Sequence, residues 1–221
     1  MTRTRLAGTG GAAPLAAALA MLLAGCGHSP PTRFFTLAAV RADAAQRAFA
    51  GAPVQVRAVH IPAVLDRPER VVGRSPQQLD IVETQQWGAP LDDMIRRVLS
   101  QDLSARLPAG MVLMARAPAS LGTRGVVVDI QEFQPDAGGN VVLDASWVVL
   151  GAVPAAQGGQ QAHGLGRNST SSPQADQPIA RGARRWQLPG GAGADAQVAG
   201  MSALLGRLAD AIAASVRGAA S

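Results

Sequence analysis

The sequence predicts an α+β domain, a mainly antiparallel sheet carrying two amphipathic helices on one face as a two-layer sandwich. Three observations point there. Two long segments, Leu91–Leu107 and Asp195–Val216, repeat apolar residues at helical spacing. Short runs rich in β-branched residues lie before the first and between the two. Two of these runs, Gly125–Phe133 and Val141–Leu150, are joined by a link containing Pro135, Asp136, Gly138, Gly139 and Asn140, and read as an antiparallel hairpin.

The elements follow in order. Arg33-Phe34-Phe35-Thr36-Leu37 is the first strand. Ala38–Ala52 is alanine-rich and fits either a helical turn or a mobile loop. Val54–Ile61 is a strand with Val54, Val56 and Ala58 on one face and Val59 and Ile61 on the other, ended by Pro62. Arg70-Val71-Val72 is a short strand bracketed by Pro68 and Gly73. Gln78–Glu83 is another, with Leu79 and Ile81 on one side. In the first helix Pro90 suits the first turn, and Asp92 and Asp93 meet the positive end of the helix dipole. Its stripe is Leu91, Met94, Ile95, Val98, Leu99, Leu103 and Leu107; Arg96, Arg97, Gln101 and Asp102 point elsewhere. Pro108 and Gly110 stop it.

Met111–Ala115 is a short apolar strand. In the hairpin's second arm Val141, Leu143, Ala145, Trp147 and Val149 share a face, and Val142, Val148 and Leu150 lie outward. Pro154–Gln177 has almost no large apolar residue, so it is expected to be a flexible insertion. Ile179–Leu188 resumes as a strand. Asp195 is expected to cap the final helix, whose stripe is Val198, Met201, Leu204, Leu205, Leu208, Ile212 and Val216.

The first 25 residues read as a targeting segment. Arg3 and Arg5 precede the apolar run Ala12–Ala24, which is shorter than the roughly 20 residues a permanent span needs. The run ends in Leu23-Ala24-Gly25-Cys26, the arrangement of a bacterial lipobox. Small residues let the chain thread a lipoprotein peptidase in extended form, and the Cys26 thiol is the nucleophile that takes up lipid. Cys26 is the one cysteine in the chain, so an internal disulfide is excluded. Two or three acyl chains hold a protein on a membrane where a single chain binds marginally. The expected modification is a diacylglycerol and an N-acyl lipid, palmitate among them, on Cys26; no other cofactor and no metal are expected. Gly27 stands where an aspartate usually marks retention at the inner membrane, so the resemblance to a bacterial lipobox implies transport to the outer membrane. The division is therefore 1–25 signal peptide, 26–32 tether and 33–218 domain, with 154–177 as the insertion.

Cleavage removes Arg3 and Arg5 and lowers the formal charge from +5 to +3. That charge is scattered, and every basic residue is arginine, so the pI of about 11.2 reflects composition rather than a nucleic-acid surface. No nucleic-acid partner is expected. No motif of nucleophilic, phosphate-binding or zinc chemistry occurs. Asp92 and Asp93 project about 100° apart on a helix and cannot act as paired carboxylates. An envelope enzyme would have to use Asp66, His60 or Asp129.

Phe34-Phe35-Thr36-Leu37 close behind a lipobox, then Leu65-Asp66-Arg67-Pro68, then Trp87-Gly88-Ala89-Pro90-Leu91 leading into the helix, resemble the ABC-type transport auxiliary lipoproteins, which include the paraquat-inducible protein C type. The likeness covers Arg33–Leu150 and returns from Ile179; Pro154–Gln177 departs from it. Ala89 stands where many members carry an acidic residue. The resemblance implies a non-enzymatic outer-membrane lipoprotein that docks an MCE-domain intermembrane lipid transport system and supports envelope integrity. Homo-oligomers are a further expectation. A structural assembly lipoprotein and an enzyme with an unrecognised site are the alternatives.

Overall fold

The described residues run through eight strands and two helices: β1 (Arg33–Phe35), β2 (Val54–His60), β3 (Glu69–Ser75), β4 (Gln78–Trp87), α1 (Leu91–Arg106), β5 (Val112–Leu113), β6 (Arg124–Pro135), β7 (Asn140–Ala152), β8 (Pro178–Pro189) and α2 (Ala194–Gly218). The structure is a computed structural model that describes residues 30–41, 51–75, 77–114, 117–118, 122–152 and 177–219. The signal, Cys26 and most of the tether, and the insertion up to residue 176, lie outside these residues. So does 42–50, the greater part of the alanine-rich stretch. The chain divides at Pro31/Thr32 into two units, and the fold below is that of the second.

The fold is α+β. Five strands form one sheet in the order β5-β2-β6-β7-β8, and three form another in the order β1-β4-β3. Antiparallel pairing holds for β3/β4, β6/β7 and β7/β8, whereas β1/β4, β2/β5 and β2/β6 are parallel. Both sheets are therefore mixed, more so than the alternation patterns suggest. Period-two alternation reports which face is buried and says nothing about strand direction.

Both helices pack on the larger sheet, α1 over β2 and β5 and α2 over β6, β7 and β8, and they touch each other. Every residue of both predicted stripes is buried in one core with Val141, Leu143, Ala145, Trp147 and Val149. By length and composition α2 could cross a membrane. Its apolar stripe is instead spent on the sheet, which makes it a core helix.

Three local departures have physical causes. A bulge between Val56 and Ala58 shifts the phase of β2, so Val59 joins Val54 and Val56 in the core and Ala58 turns outward beside Val127. The cap of α2 is Gly193, at φ +95°, and Asp195 lies in the first turn, where it pairs with Arg33 at 2.8 Å. Pro90 stands one residue ahead of α1, its carbonyl accepting from the Met94 N–H at 3.0 Å.

The β6–β7 turn is fixed by one side chain. Asp136 Oδ1 accepts from the backbone N–H groups of Gly138 (2.8 Å) and Asn140 (2.9 Å), while Oδ2 accepts from Gln187 (2.9 Å). Gly139 supplies the left-handed φ of +78° that closes the turn. Burial pushes the Asp136 carboxyl up, but the bonds from Asn140, Gly138 and Gln187 outweigh it and hold the group below the usual carboxylate range.

Trp147 stacks on Trp186 with ring centres 6.3 Å apart and donates from Nε1 to Ser215 Oγ at 3.0 Å. Gly182 lies opposite Trp147 across the β7/β8 ladder, and a Cβ there would run into the indole ring. Gly182→Ala should therefore displace the ring, break the Ser215 bond and lower stability by about 1–3 kcal/mol. Urea unfolding checks this. An unchanged midpoint would mean the ring has room to move.

Candidate functional site

Three of the family-motif positions, Phe35, Pro68 and Trp87, are joined where the chain enters the domain. Phe35 and Trp87 are register partners in the parallel β1/β4 pair. The Trp87 N–H donates to Pro68 O at 2.7 Å, and the Gly88 N–H donates to Phe35 O at 2.8 Å. Leu65 is buried at the turn before Pro68, where its N–H reaches Pro62 O at 2.9 Å. Phe35, Leu37, Leu65, Trp87 and Leu91 all join the core, while Phe34 stands 68% exposed and Asp66 is exposed. Arg67 pairs with Glu69 at 3.7 Å rather than with Asp66.

Arg70 lies in the middle of this junction, 1% exposed. Its guanidinium is 5.2 Å from the centre of the Phe35 ring and 6.0 Å from that of Trp87. It donates to Gln85 Oε1 and, at 2.9 Å, to Gln197 Oε1. Burial lowers its pKa, partly opposed by the nearby Asp195 carboxylate. Nothing in a β-patterned Glu69–Ser75 distinguishes a buried arginine from an exposed one, so sequence reasoning missed it.

The segment after β1 is fastened to both helices. The Ala38 N–H donates to Ser202 Oγ on α2 at 3.2 Å, and the Val40 N–H donates to Asp102 Oδ1 on α1 at 2.7 Å. Asp102, expected to point away from the core, has no exposed side-chain surface. Arg106 lies 3.7 Å from it and donates to Asp210 on α2 at 2.6 Å, to Asp102 O at 3.0 Å and to Val40 O at 3.4 Å. Burial raises the Asp102 carboxyl to about 6; the Val40 bond and Arg106 oppose the rise, and Asp210 adds to it. A pull on the N-terminal segment is thus carried by side chains of α1 and α2 as well as by the β1/β4 ladder.

The face of the larger sheet away from the helices carries His60, Asp129, Ser146, Val148, Asp144 and Arg185. The structure brings two enzyme candidates together here: His60 Nδ1 is 3.2 Å from Asp129 Oδ1, with both side chains more than half exposed. Asp66 is in the β2–β3 turn. Among the described residues no group of three or more His, Cys, Asp or Glu could hold a metal. One end of this face forms a cleft of about 710 Å³ with the β3–β4 hairpin. Val64 and Leu79, both exposed, form an apolar wall; Gln134, Glu132 and Arg185 form the polar one. Arg185 bridges Glu132 (2.5 Å) and Asp144 (3.3 Å).

These features describe a domain whose N-terminal strand and the segment after it are fastened to β4 and to both helices. The profile of the family described as ABC-type transport auxiliary lipoprotein component matches residues 35–213. The chain belongs to that family, which makes it a membrane-anchored envelope lipoprotein associated with transport; the family is not an enzyme family. The crystal structure of an uncharacterized protein is similar at TM-score 0.63 and 20% identity, over 84% of this chain and 98% of the other. A Xanthomonas campestris protein of family DUF330 is similar at TM-score 0.61 and 14% identity, over 85% of this chain and 97% of the other. At these identities both establish the fold alone. No curated protein matches the chain.

Proposed function

We propose that this chain is an outer-membrane lipoprotein subunit that docks an MCE-type intermembrane lipid transport system from the periplasmic face and supports envelope integrity. One observation carries the reading: a transport-auxiliary domain follows directly behind Leu23-Ala24-Gly25-Cys26. The junction geometry supports it. A subunit that bridges an anchor and a partner in another membrane is loaded through its N-terminal segment, and that segment is bolted to α1, α2 and β4.

In this reading Cys26 carries the diacylglycerol and N-acyl lipid. Cys26→Ala should abolish lipid labelling, leave the precursor uncleaved by the lipoprotein peptidase and remove the chain from the outer-membrane fraction. A mutant that still takes up labelled palmitate and sediments with outer membranes would disprove the anchor. Docking is tested separately, by crosslinking the wild-type chain in intact envelopes. An MCE-domain protein among the crosslinked species is expected; its consistent absence would sink the transporter reading.

A further inference from the structure

β8 ends the five-stranded sheet, and among the described residues no strand pairs with its outer side. It is 12 residues long. In an antiparallel strand every second residue turns its N–H and C=O away from the paired neighbour, so β8 presents a long row of open hydrogen-bonding groups. Such an edge invites strand addition unless it is short, bulged away or charged. Here it is long and charged, by Arg181, Arg184 and Arg185.

Arg185 is engaged by Glu132 and Asp144 on the outer face. Arg181 and Arg184 have no carboxylate partner among the described residues, and neither has Arg207, which α2 places beside Arg184. A groove of about 330 Å³ runs between the β8 edge and α2. Trp186, Ala211 and Ala214 form its apolar lining, and Arg184 and Arg207 its charged rim. The Arg184 guanidinium lies 5.9 Å from the centre of the Trp186 ring. Asp210, the acid in the groove, is committed to Arg106. The groove is therefore a cationic slot with an aromatic floor, alongside an open strand edge.

We propose that the β8 edge is a strand-addition site for an extended acidic segment of a partner protein. Cross-strand neighbours share a face, so the incoming residue opposite Arg184 projects into the groove, where its carboxylate meets Arg184 and Arg207. Backbone hydrogen bonds to β8 supply affinity, and the arginines supply selection. The same charges disfavour a second copy of the chain as occupant, because pairing β8 with β8 sets arginine against arginine. This inference stands apart from the transporter reading, since it fixes the chemistry of the partner and not its identity.

The test uses the mature full-length chain in detergent micelles and two labelled twelve-residue peptides. One is built of Val and Thr with four Glu; the other has Lys in place of each Glu. The acidic peptide should bind at least about tenfold tighter at low salt, with the gap closing at high salt. Hydrogen exchange should slow at β8 amides on binding. Arg184→Glu with Arg207→Glu should reverse the preference, and Arg184→Gln with Arg207→Gln should abolish it, which keeps the test valid if the charge reversal misfolds. Equal binding of the two peptides, no binding of either, a preference that survives both variants, or protection away from β8 would overturn the proposal. So would a self-associated wild-type chain whose β8 amides are already protected.

Discussion

Arg106→Met should destabilise the domain by about 3–5 kcal/mol, because it leaves Asp102 buried with no cation beside it. At roughly 2–4 °C per kcal/mol for a domain of this size, thermal unfolding at pH 8 should drop by about 6–20 °C. The loss should depend on pH in a definite direction. Asp102 has a folded pKa raised to about 6, above its unfolded value near 3.8. A raised pKa means the native state holds the proton more tightly, so its favourable contribution is complete below about pH 4 and disappears as pH rises through 6. In the wild type that term is on the order of 2–3 kcal/mol. Removing Arg106 takes away a charge that favours the ionised form, which widens the window. The penalty should therefore be small at pH 4.5 and large at pH 8. Asp102→Asn keeps an acceptor for the Val40 N–H and should flatten the pH 4–6 dependence. A penalty in Arg106→Met that is the same at both pH values would show that Arg106 acts by packing alone.

The helices were legible because a stripe of seven apolar residues at helical spacing has few other solutions, and all seven of each stripe are buried. The β6–β7 hairpin was legible for a similar reason: the inward residues of β7 alternate without a break, and Asp136, Gly139 and Asn140 supply the turn chemistry at the right place, although the register shift in β6 between Ile130 and Glu132 carried no marker. β2 was read out of phase because a bulge inserts a residue without any marker in Gln55-Val56-Arg57-Ala58. The parallel pairings went unseen because they join β1 to β4 and β2 to β6 across long stretches of sequence, where local pattern carries no information.

The site was legible in position more than in mechanism. Of the positions singled out, backbone pairing joins Phe35, Pro68 and Trp87, while Leu65 and Leu91 are buried in the common core. The polar residues that hold the junction, Arg70, Asp102 and Arg106, were not. A charged residue in the chain reads as solvated by default, since charged groups are seldom buried unless paired. Here the partners come from distant elements, so nothing near Asp102 in sequence announces Val40 or Asp210. Arg106 itself falls one turn beyond Asp102, a spacing that hints at an ion pair but not at its burial.

The outer sheet face is where expectation and structure divide, and separate substitutions resolve it. Val142, Val148 and Leu150 were expected to lie outward together on β7. Val148 and Leu150 are half-buried on that face, but Val142 is only 2% exposed. It sits at the end covered by the hairpin: its neighbour Gln134 lies beside Gly73, which packs on the backbone of Pro135 and Asp136. Val142→Glu must then place a carboxylate where water does not reach. A cost above about 4 kcal/mol is expected, a large share of the 5–15 kcal/mol that holds an ordinary domain together. Val148→Glu projects toward Arg181 and partial solvent, and should change stability by less than about 1 kcal/mol. Circular dichroism and urea unfolding of the two single variants separate the positions. If Val142→Glu folds as stably as Val148→Glu, the hairpin does not seal that end of the sheet, and the whole face is open to a partner.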